Sequence, residues 1–261
     1  MSAKITSINY CPVKSVSFQS VENCKIKKNI GIIGDRIFAF AKDLNLEQAK
    51  LFEKSPAERK GKWNKVLTLK NSPALNKYNF IFKDEKLTLT FKDNEILSID
   101  INQLTEREAL SNKISELESS LKQPITLMKN DAFPFFDTSI SKKVDFVNSV
   151  SLLNFQSIND FEKKVSKKIE ASIFRGNICI DGLEPWKERE WIGKTIKINN
   201  VSFKVEKNIP RCVAINLKPK TDDNSFNLLQ LLKKNYNHFD MGIYLTALDD
   251  GEVNIGNKIE L

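Results

Sequence analysis

Short β-rich segments separated by turn sequences are the feature that most constrains the fold of this chain. The intervening sequences Asn-Ser-Pro, Lys-Asp-Glu and Lys-Asp-Asn are rich in residues that favour turns. Short strands at this spacing predict a meander or a barrel, because alternating strands and helices would need longer connections. Four such segments lie at residues 63–69, 78–82, 86–91 and 95–101.

The same pattern continues along the chain and is interrupted by a few helices. Residues 4–10 alternate apolar and polar side chains, as a half-buried strand does. Further strands are predicted at residues 21–30, 37–41, 125–128, 146–153, 173–180, 195–206 and 213–217, with a closing pair at 241–248 and 253–259. Helices are predicted over residues 105–121, 158–168 and 224–235. Thr105 and Ser157 are the predicted caps of the first two helices. The fold class is therefore mainly β with a few helices.

The composition is that of an ordinary globular protein with a moderate basic excess. Forty-one Lys and Arg against 33 Asp and Glu give a net charge of +8. Such an excess suits an anionic ligand, an acidic protein partner or nucleic acid. A nucleic-acid function ranks last, because the chain lacks interleaved aromatic and basic residues and any recognisable binding module. No apolar run is long enough for a transmembrane helix and no signal peptide is recognised, so we expect no membrane association.

Four cysteines are scattered along the chain, at Cys11, Cys24, Cys179 and Cys212. None forms a C-x-x-C pair, and no histidine lies at zinc-finger spacing, which argues against a structural zinc site and an iron–sulfur cluster. Scattered thiols in a chain of this length fit a reducing compartment better than a disulfide framework. We therefore expect a cytoplasmic protein.

One of these thiols stands in a chemically distinctive sequence, Pro210-Arg211-Cys212, after a β-rich run. Proline removes a backbone donor and halts the incoming strand. The permanent cation of Arg211 favours the thiolate of Cys212, the form that binds soft metals or attacks electrophiles. The alternative is that Cys212 is a small buried hydrophobic residue, as most free cysteines are.

Five motifs together give the chain a likeness to a known family. They are Tyr10-Cys11-Pro12-Val13-Lys14-Ser15, Gly34-Asp35-Arg36, Phe174-Arg175-Gly176-Asn177, Pro210-Arg211-Cys212, and Gly242-Ile243-Tyr244 through Gly256-Asn257. In this order and spacing the chain resembles the MOSC (molybdenum cofactor sulfurase C-terminal) domain family, which includes the mitochondrial amidoxime-reducing component and bacterial relatives. The resemblance implies a MOSC-type β-barrel domain at residues 131–261. A smaller β-barrel-like N-terminal domain would precede it at residues 1–130.

The resemblance also implies a molybdenum–pterin cofactor (molybdopterin) and the residues that hold it. Cys212 would ligate the metal and so be the catalytic residue, since thiolate suits a soft metal centre. Cations and hydrogen-bonding side chains would hold the phosphate and the pterin. These are Lys14, Ser15, Arg36, Asn148, Ser149, Arg175, Asn177, Pro210 and Arg211. If the mapping holds, Lys14, Arg36 and Arg175 converge on one cleft.

Each assignment has an alternative. Lys14 could be a solvated turn residue, and Arg36 and Arg175 could form surface ion pairs. Cys11 and Cys24 are expected to be core or incidental thiols, and Cys179 either approaches the site or is an inert buried thiol. The single histidine, His238, could donate a proton near neutral pH, or it could serve only in capping and packing.

Two functional hypotheses remain. The first is a molybdenum-dependent reductase that acts on N-hydroxylated or other N- or S-oxygenated small molecules. Because the chain carries no iron–sulfur, haem or flavin motif, electrons would come from a separate ferredoxin, flavoprotein or cytochrome, and the basic charge suits an acidic donor. The second is a carrier that delivers cofactor or sulfur through Cys212 without turnover of its own.

Overall fold

The structure is a computed structural model that describes residues 3–16, 18–59, 61–121, 124–136 and 149–261. Its strands are β1 (Lys4–Tyr10), β2 (Gln19–Val21), β3 (Asn23–Lys27), β4 (Gly31–Ile32), β5 (Phe38–Lys42), β6 (Tyr78–Lys83), β7 (Lys86–Phe91), β8 (Asn94–Asp100), β9 (Ile125–Lys129), β10 (Val150–Asn154), β11 (Ile178–Asp181), β12 (Thr195–Ile198), β13 (Val201–Pro210), β14 (Asp240–Ala247), β15 (Gly251–Asn254) and β16 (Ile259–Glu260). Its helices are α1 (Leu46–Lys54), α2 (Pro56–Arg59), α3 (Leu104–Leu117), α4 (Phe155–Val165) and α5 (Leu228–Tyr236). The predicted fold class, mainly β with a few helices, is confirmed.

An eight-stranded sheet forms the largest layer, in the order β16-β12-β13-β14-β10-β11-β1-β2. Neighbouring strands are antiparallel except for the parallel pair of β10 and β11. The order is linear, with β16 and β2 at its edges, so no ring of strands closes among the described residues. The predicted closed barrels are therefore not found in this part of the chain. No helix of the described ranges is both long and apolar enough to cross a membrane.

Period-2 burial along β13 shows how this sheet builds its core. Val201, Phe203 and Val205 are buried, while the intervening Ser202 and Lys204 are half-exposed. The buried side chains join a cluster with residues of β1, β10, β11, β12 and β14. Each fully buried Val or Phe contributes roughly 1.5–3 kcal/mol. A second core forms where the meander β6-β7-β8 packs with β5, β9 and α3.

The N-terminal strands belong to the same sheets as the C-terminal half of the chain. β1 pairs with β11, and β3 pairs with β15. The first strands therefore pack into the core of the large sheet. The division of the chain at residue 130 stays a prediction.

All three predicted helices form, as α3, α4 and α5, but the caps of the first two differ from those expected. Thr105 lies inside α3, and the residue at its N-cap, Gln103, makes no side-chain cap. For α4, the cap is Asn154, whose side chain accepts from the backbone N–H of Gln156. Helix α1 was not predicted, although Asn45 and Gln48 form a complete capping box that marks its start.

Several predicted strands are wrong. Short 3-10 helices occupy Trp63–Lys65, Ala171–Phe174 and Val213–Asn216. These segments contain residues that favour strands, such as Ile173 and Val213, but they form short helical turns within loops, so the local pattern does not report a strand.

Two further strand predictions misjudged the pairing. The run 195–206 is the hairpin of β12 and β13, with Asn199 in a left-handed turn. The predicted closing pair does not form: β14 pairs with β13 and β10, whereas β15 pairs with β3. Register of this kind follows from which face is buried, which the local sequence leaves open.

Gly242 lies where β14 packs tightly against β10. Its φ is +80°, and an added Cβ would lie 2.4 Å from the carbonyl oxygen of Leu152. Gly193 has a similar φ of +83° but nothing within 4 Å of such a Cβ. Gly193→Ala should lower the free energy of unfolding by about 1–2 kcal/mol, the cost of the left-handed backbone. Gly242→Ala adds a backbone clash, so its loss should exceed about 3 kcal/mol. Urea denaturation measures both, and equal losses would contradict this packing.

Candidate functional site

A cavity of about 670 Å³ opens between the loop after β1, the segment that follows α2 and the end of β13. Its lining residues are Lys14, Ser15, Arg36, Trp63, Asn64, Thr68, Leu69, Lys70, Asn71, Phe136, Ser151, Ile173, Phe174, Arg175, Ile209, Pro210, Arg211, Cys212, Ala214, Ile215 and Tyr244. The volume falls within the range of small-molecule and cofactor sites, roughly 300–1,000 Å³.

The charge of the lining is one-sided. Five cations line the cavity, Lys14, Arg36, Lys70, Arg175 and Arg211, and no carboxylate joins them among the residues that the structure describes. Clustered cations repel one another, and burial strengthens that repulsion. An anionic ligand is the group that such a cavity can stabilise.

Lys14 and Ser15 lie in a tight turn at the end of β1. The backbone N–H of Lys14 donates to the carbonyl of Phe38 at 2.8 Å, and the Ser15 hydroxyl donates to the carbonyl of Leu67 at 3.3 Å. Ser15 adopts a left-handed φ of 70°. The Lys14 ammonium lies 5.8 Å from the ring centroid of Trp63. Both residues are buried, so Lys14 is not a solvated turn residue.

Arg36 is held by its neighbour in the sequence, Asp35. Arg36 Nη1 donates to Asp35 Oδ2 at 2.7 Å, and Asp35 is only 2% exposed. The other carboxylate oxygen accepts from the backbone N–H of Cys11 at 2.9 Å. The partner of Arg36 is thus a buried carboxylate, not a surface one. The φ of Arg36 is 54°, an uncommon conformation for a residue with a side chain.

Arg175 follows the 3-10 helix Ala171–Phe174 and also has a left-handed φ, 51°. Its Nη2 donates to the carbonyl of Val16 at 2.6 Å and lies 3.8 Å from the Sγ of Cys11. Its Nε and Nη1 have no hydrogen-bond partner within the described ranges. Burial lowers the pKa of Arg175. Of the predicted cations, Arg175 therefore keeps donors available at the cavity.

The guanidinium of Arg211 binds backbone carbonyls, a role that the sequence does not predict. Its Nε and Nη2 donate to the carbonyl of Met241, and its Nη1 donates to the carbonyl of Phe174 at 2.7 Å. Burial lowers the pKa of Arg211 to about 10. The guanidinium thereby joins the backbone before Arg175 to β14, while still lining the cavity.

Cys212 is exposed and lines the cavity just past the end of β13 at Pro210. The alternative of a buried hydrophobic residue therefore does not hold for Cys212. Three or more His, Cys, Asp and Glu side chains do not gather into a metal site anywhere in the described part of the chain. Of the His, Cys, Asp and Glu side chains that the structure describes, Cys212 alone lines the cavity.

Two predicted site residues do not line the cavity. Asn177 is fully buried and does not line the cavity: its Nδ2 donates to Asp35 Oδ2, and its Oδ1 accepts from Ser151. The predicted strand 173–180 forms only from Ile178, as β11, so Arg175 and Asn177 do not share one strand face as predicted. Ser149 is buried but is not among the lining residues. Asn148 lies outside the described residues.

His238 also lies away from the cavity lining. Its ring stacks on Tyr236 at 5.8 Å and meets Trp186 edge-on at 5.6 Å. Its Nδ1 accepts from the backbone N–H of Asp240 at 3.1 Å. These contacts favour the capping and packing alternative.

The sequence did not predict every residue of the site. Asp35 stood inside the Gly-Asp-Arg motif, so its acceptor role could have been inferred from the adjacent cation. Nothing in the sequence marked four further lining residues as part of a site, because their segment was predicted as a strand but forms a 3-10 turn and a loop. They are Trp63, Asn64, Thr68 and Asn71.

Comparisons with known proteins identify the domain that carries part of this site. Residues 143–260 match the MOSC domain family, so the chain contains a MOSC domain. A segment of 92 residues, 35% of the chain, is 28% identical to mitochondrial amidoxime reducing component 2 of Bos taurus. That segment spans 27% of the relative's length. The MOSC match and this relative indicate a function associated with the molybdenum cofactor.

Two solved structures resemble the backbone more loosely. The YUAD protein of Bacillus subtilis superposes with a TM-score of 0.45 at 11% identity, covering 100% of this chain and 95% of that one. YiiM of Escherichia coli gives a TM-score of 0.34 at 14% identity, covering 43% of this chain and 53% of that one.

The exposed thiol gives a direct test of the site. Burial raises the pKa of Cys11 to about 11 and that of Cys24 to about 12, and it also raises the pKa of Cys179. Because the thiolate is the reactive form, these three should resist a disulfide reagent at pH 8. The native protein should release one equivalent of thiol and the denatured protein four, since only Cys212 is exposed. Cys212→Ser should abolish the native reaction and Cys24→Ser should leave it unchanged.

Asp35 should be essential for the shape of the site. Asp35→Asn replaces one acceptor oxygen by a donor that faces buried donors from Arg36 and Asn177. The free energy of unfolding should fall by about 1.5–3 kcal/mol.

Asp43 provides the control, because its carboxylate also pairs with a cation, Lys65 at 3.3 Å, but at the surface. Asp43→Asn should cost less than about 1 kcal/mol. Urea denaturation measures both free energies of unfolding. Equal losses in Asp35→Asn and Asp43→Asn would show that burial of the Asp35 carboxylate adds nothing to stability.

Proposed function

We propose that this protein binds a molybdenum–pterin cofactor and reduces N-hydroxylated, or other N- or S-oxygenated, small molecules. The observation that carries the proposal is the pairing of an exposed Cys212 with a cavity of five cations and no carboxylate among its described lining residues. The MOSC domain at residues 143–260 supports the choice of cofactor.

The residues present fit such a group in size and in chemistry. The cavity volume of about 670 Å³ lies within the range of known cofactor sites. The available Nε and Nη1 donors of Arg175, with Lys14, Ser15 and Arg36, suit a phosphate and the polar edge of a pterin. Cys212 supplies the thiolate that a soft metal prefers. Pro210 and Arg211 shape the wall at this thiol.

When bound, the cofactor supplies the oxygen-atom and two-electron chemistry, and the chain supplies placement and electrostatics. Arg211 fixes the backbone of Phe174 and Met241, so Arg175 is held beside Cys212. Trp63 and Phe136 present rings to the cavity, where they exclude water and strengthen every charge interaction inside.

The reductase needs an outside source of electrons, because the sequence has no iron–sulfur, haem or flavin motif. The net charge of +8 suits a transient complex with an acidic ferredoxin, flavoprotein or cytochrome. Such encounters weaken as ionic strength rises.

A second function, delivery of cofactor or sulfur, is favoured by one observation, the exposure of Cys212. An exposed thiolate can take the outer sulfur of a donor persulfide, whose inner sulfur leaves as a thiolate, and can pass that sulfur to a recipient thiolate in the same way. A carrier of this kind reduces nothing, whichever donor is supplied.

One experiment separates the two functions. The protein is made in a host that synthesises the cofactor, its molybdenum content is measured, and chemically reduced viologen is supplied with amidoximes, hydroxylamines and N-oxides. We expect roughly stoichiometric molybdenum and substrate-dependent oxidation of the viologen. Cys212→Ser should abolish turnover and keep the fold, and Cys24→Ser, in β3 and outside the cavity lining, should keep both.

The outcomes differ for each hypothesis. Molybdenum without turnover across the compounds would favour the carrier. Absence of both molybdenum and pterin would remove both hypotheses.

A further inference from the structure

Phe18 is not among the residues that line the cavity, yet its ring contacts two cations that do. The guanidinium carbon of Arg36 lies 5.0 Å from the ring centroid, and that of Arg175 lies 4.7 Å from it. Both distances are within the 6 Å range of cation–π attraction. Phe18 is half-buried and packs against the core of the meander, so its ring is anchored on the protein side.

Each guanidinium is also held by a contact outside the Phe18 ring. Arg36 is bonded to Asp35 at 2.7 Å and lies 4.4 Å from the ring centroid of Phe136. Arg175 is bonded to the carbonyl of Val16, two residues before Phe18. The rings and guanidinium groups therefore form a connected stack, Phe136, Arg36, Phe18 and Arg175.

This arrangement keeps two like charges close together, which costs free energy in the absence of a ligand. Burial lowers the pKa of Arg175, and the charge of Arg36 lowers it further. Both arginines also have left-handed backbones, which L-residues adopt at a cost. A repelling pair of fixed cations is the arrangement that one multivalent anion stabilises.

We propose that Phe18 is a positioning residue that spaces Arg36 and Arg175 so that both donate to a single phosphate group. The proposal rests on the proposed function for the identity of the ligand, a phosphate monoester. The aromatic face of Phe18 sets the spacing, because it attracts both guanidinium groups and prevents either from turning toward the core. An aliphatic side chain of similar volume fills the space without this attraction.

The test uses the full chain produced without cofactor, with inorganic phosphate and pyrophosphate as probes in isothermal titration calorimetry. Phe18→Leu should raise the dissociation constant about tenfold, the effect of losing cation–π contacts worth about 1.4 kcal/mol. Phe18→Tyr keeps the ring face and should bind as the wild type does. Phe18→Met, which also lacks a ring, replaces the leucine variant if that variant does not fold.

Phe91→Leu is the matched control. Phe91 is a half-buried ring with a cation over it, Lys92 at 5.3 Å, outside the cavity lining. Its substitution should lower the melting temperature about as much as Phe18→Leu does, while phosphate affinity stays unchanged. If phosphate affinity falls in both Phe18→Leu and Phe91→Leu, in proportion to the fall in melting temperature, then Phe18 serves only in packing.

A double-mutant cycle adds a result that packing cannot produce. Arg175→Lys should weaken phosphate binding in the wild type and have a much smaller effect in Phe18→Leu, because the spacing that it depends on is already lost. Additive effects would overturn the positioning role.

The failures are distinguishable. Wild-type protein that binds phosphate and pyrophosphate, with Phe18→Leu unchanged, overturns the role of Phe18 and leaves the proposed function standing. Wild-type protein that binds neither anion overturns the anion site, and with it both proposals.

Discussion

One buried carboxamide, that of Asn177, connects the parts of the chain that form the site. Its Oδ1 accepts from the backbone N–H of Ser151 at 3.1 Å and from the hydroxyl of Ser151 at 2.8 Å. Its Nδ2 donates to the carbonyl of Asn9 and to Asp35. Strands β1 and β10 and the turn that carries Arg36 thus meet at a single side chain. A buried amide left without partners costs about 1–3 kcal/mol, so these elements are held in one register.

Asp35 carries that constraint outward to the cavity. The carboxylate accepts from Asn177 on the core side and from Arg36 on the cavity side. It also accepts from the backbone N–H of Cys11, which fixes the segment leading to Lys14. The position of the cavity's cations is therefore decided by hydrogen bonds inside the protein, and a ligand meets groups that are already in place. Preorganisation of this kind reduces the entropic cost of binding.

Arg211 has a structural role that its position beside Cys212 in the sequence does not suggest. The sequence predicts a cation that favours the thiolate of Cys212. In the structure, three donors of the guanidinium bind two backbone carbonyls. These bonds hold the backbone of Phe174 against that of Met241. The donors left for a ligand at this wall are chiefly those of Arg175.

The sequence by itself determined the strand-rich class of the fold and the residue types of the site. Period-2 burial and turn sequences are local signals, and β1, β6, β7 and β8 formed where those signals stood. Motifs far apart in the chain predicted that Lys14, Arg36 and Arg175 would meet, and all three line one cavity. That these residues hold a cofactor stays a prediction.

Only the tertiary structure decided which strands pair, which segments leave the strand conformation and which polar groups turn inward. β15 pairs with β3, more than 200 residues away, because both bury one face on the same core. The Asn177 side chain lies in the core and not at the cavity, because four backbone and side-chain groups there complete the hydrogen bonds of its carboxamide. The wall from Trp63 to Asn71 owes its place to contacts with Lys14 and Ser15. Burial and hydrogen bonding across long sequence separations set these features, and no local pattern encodes them.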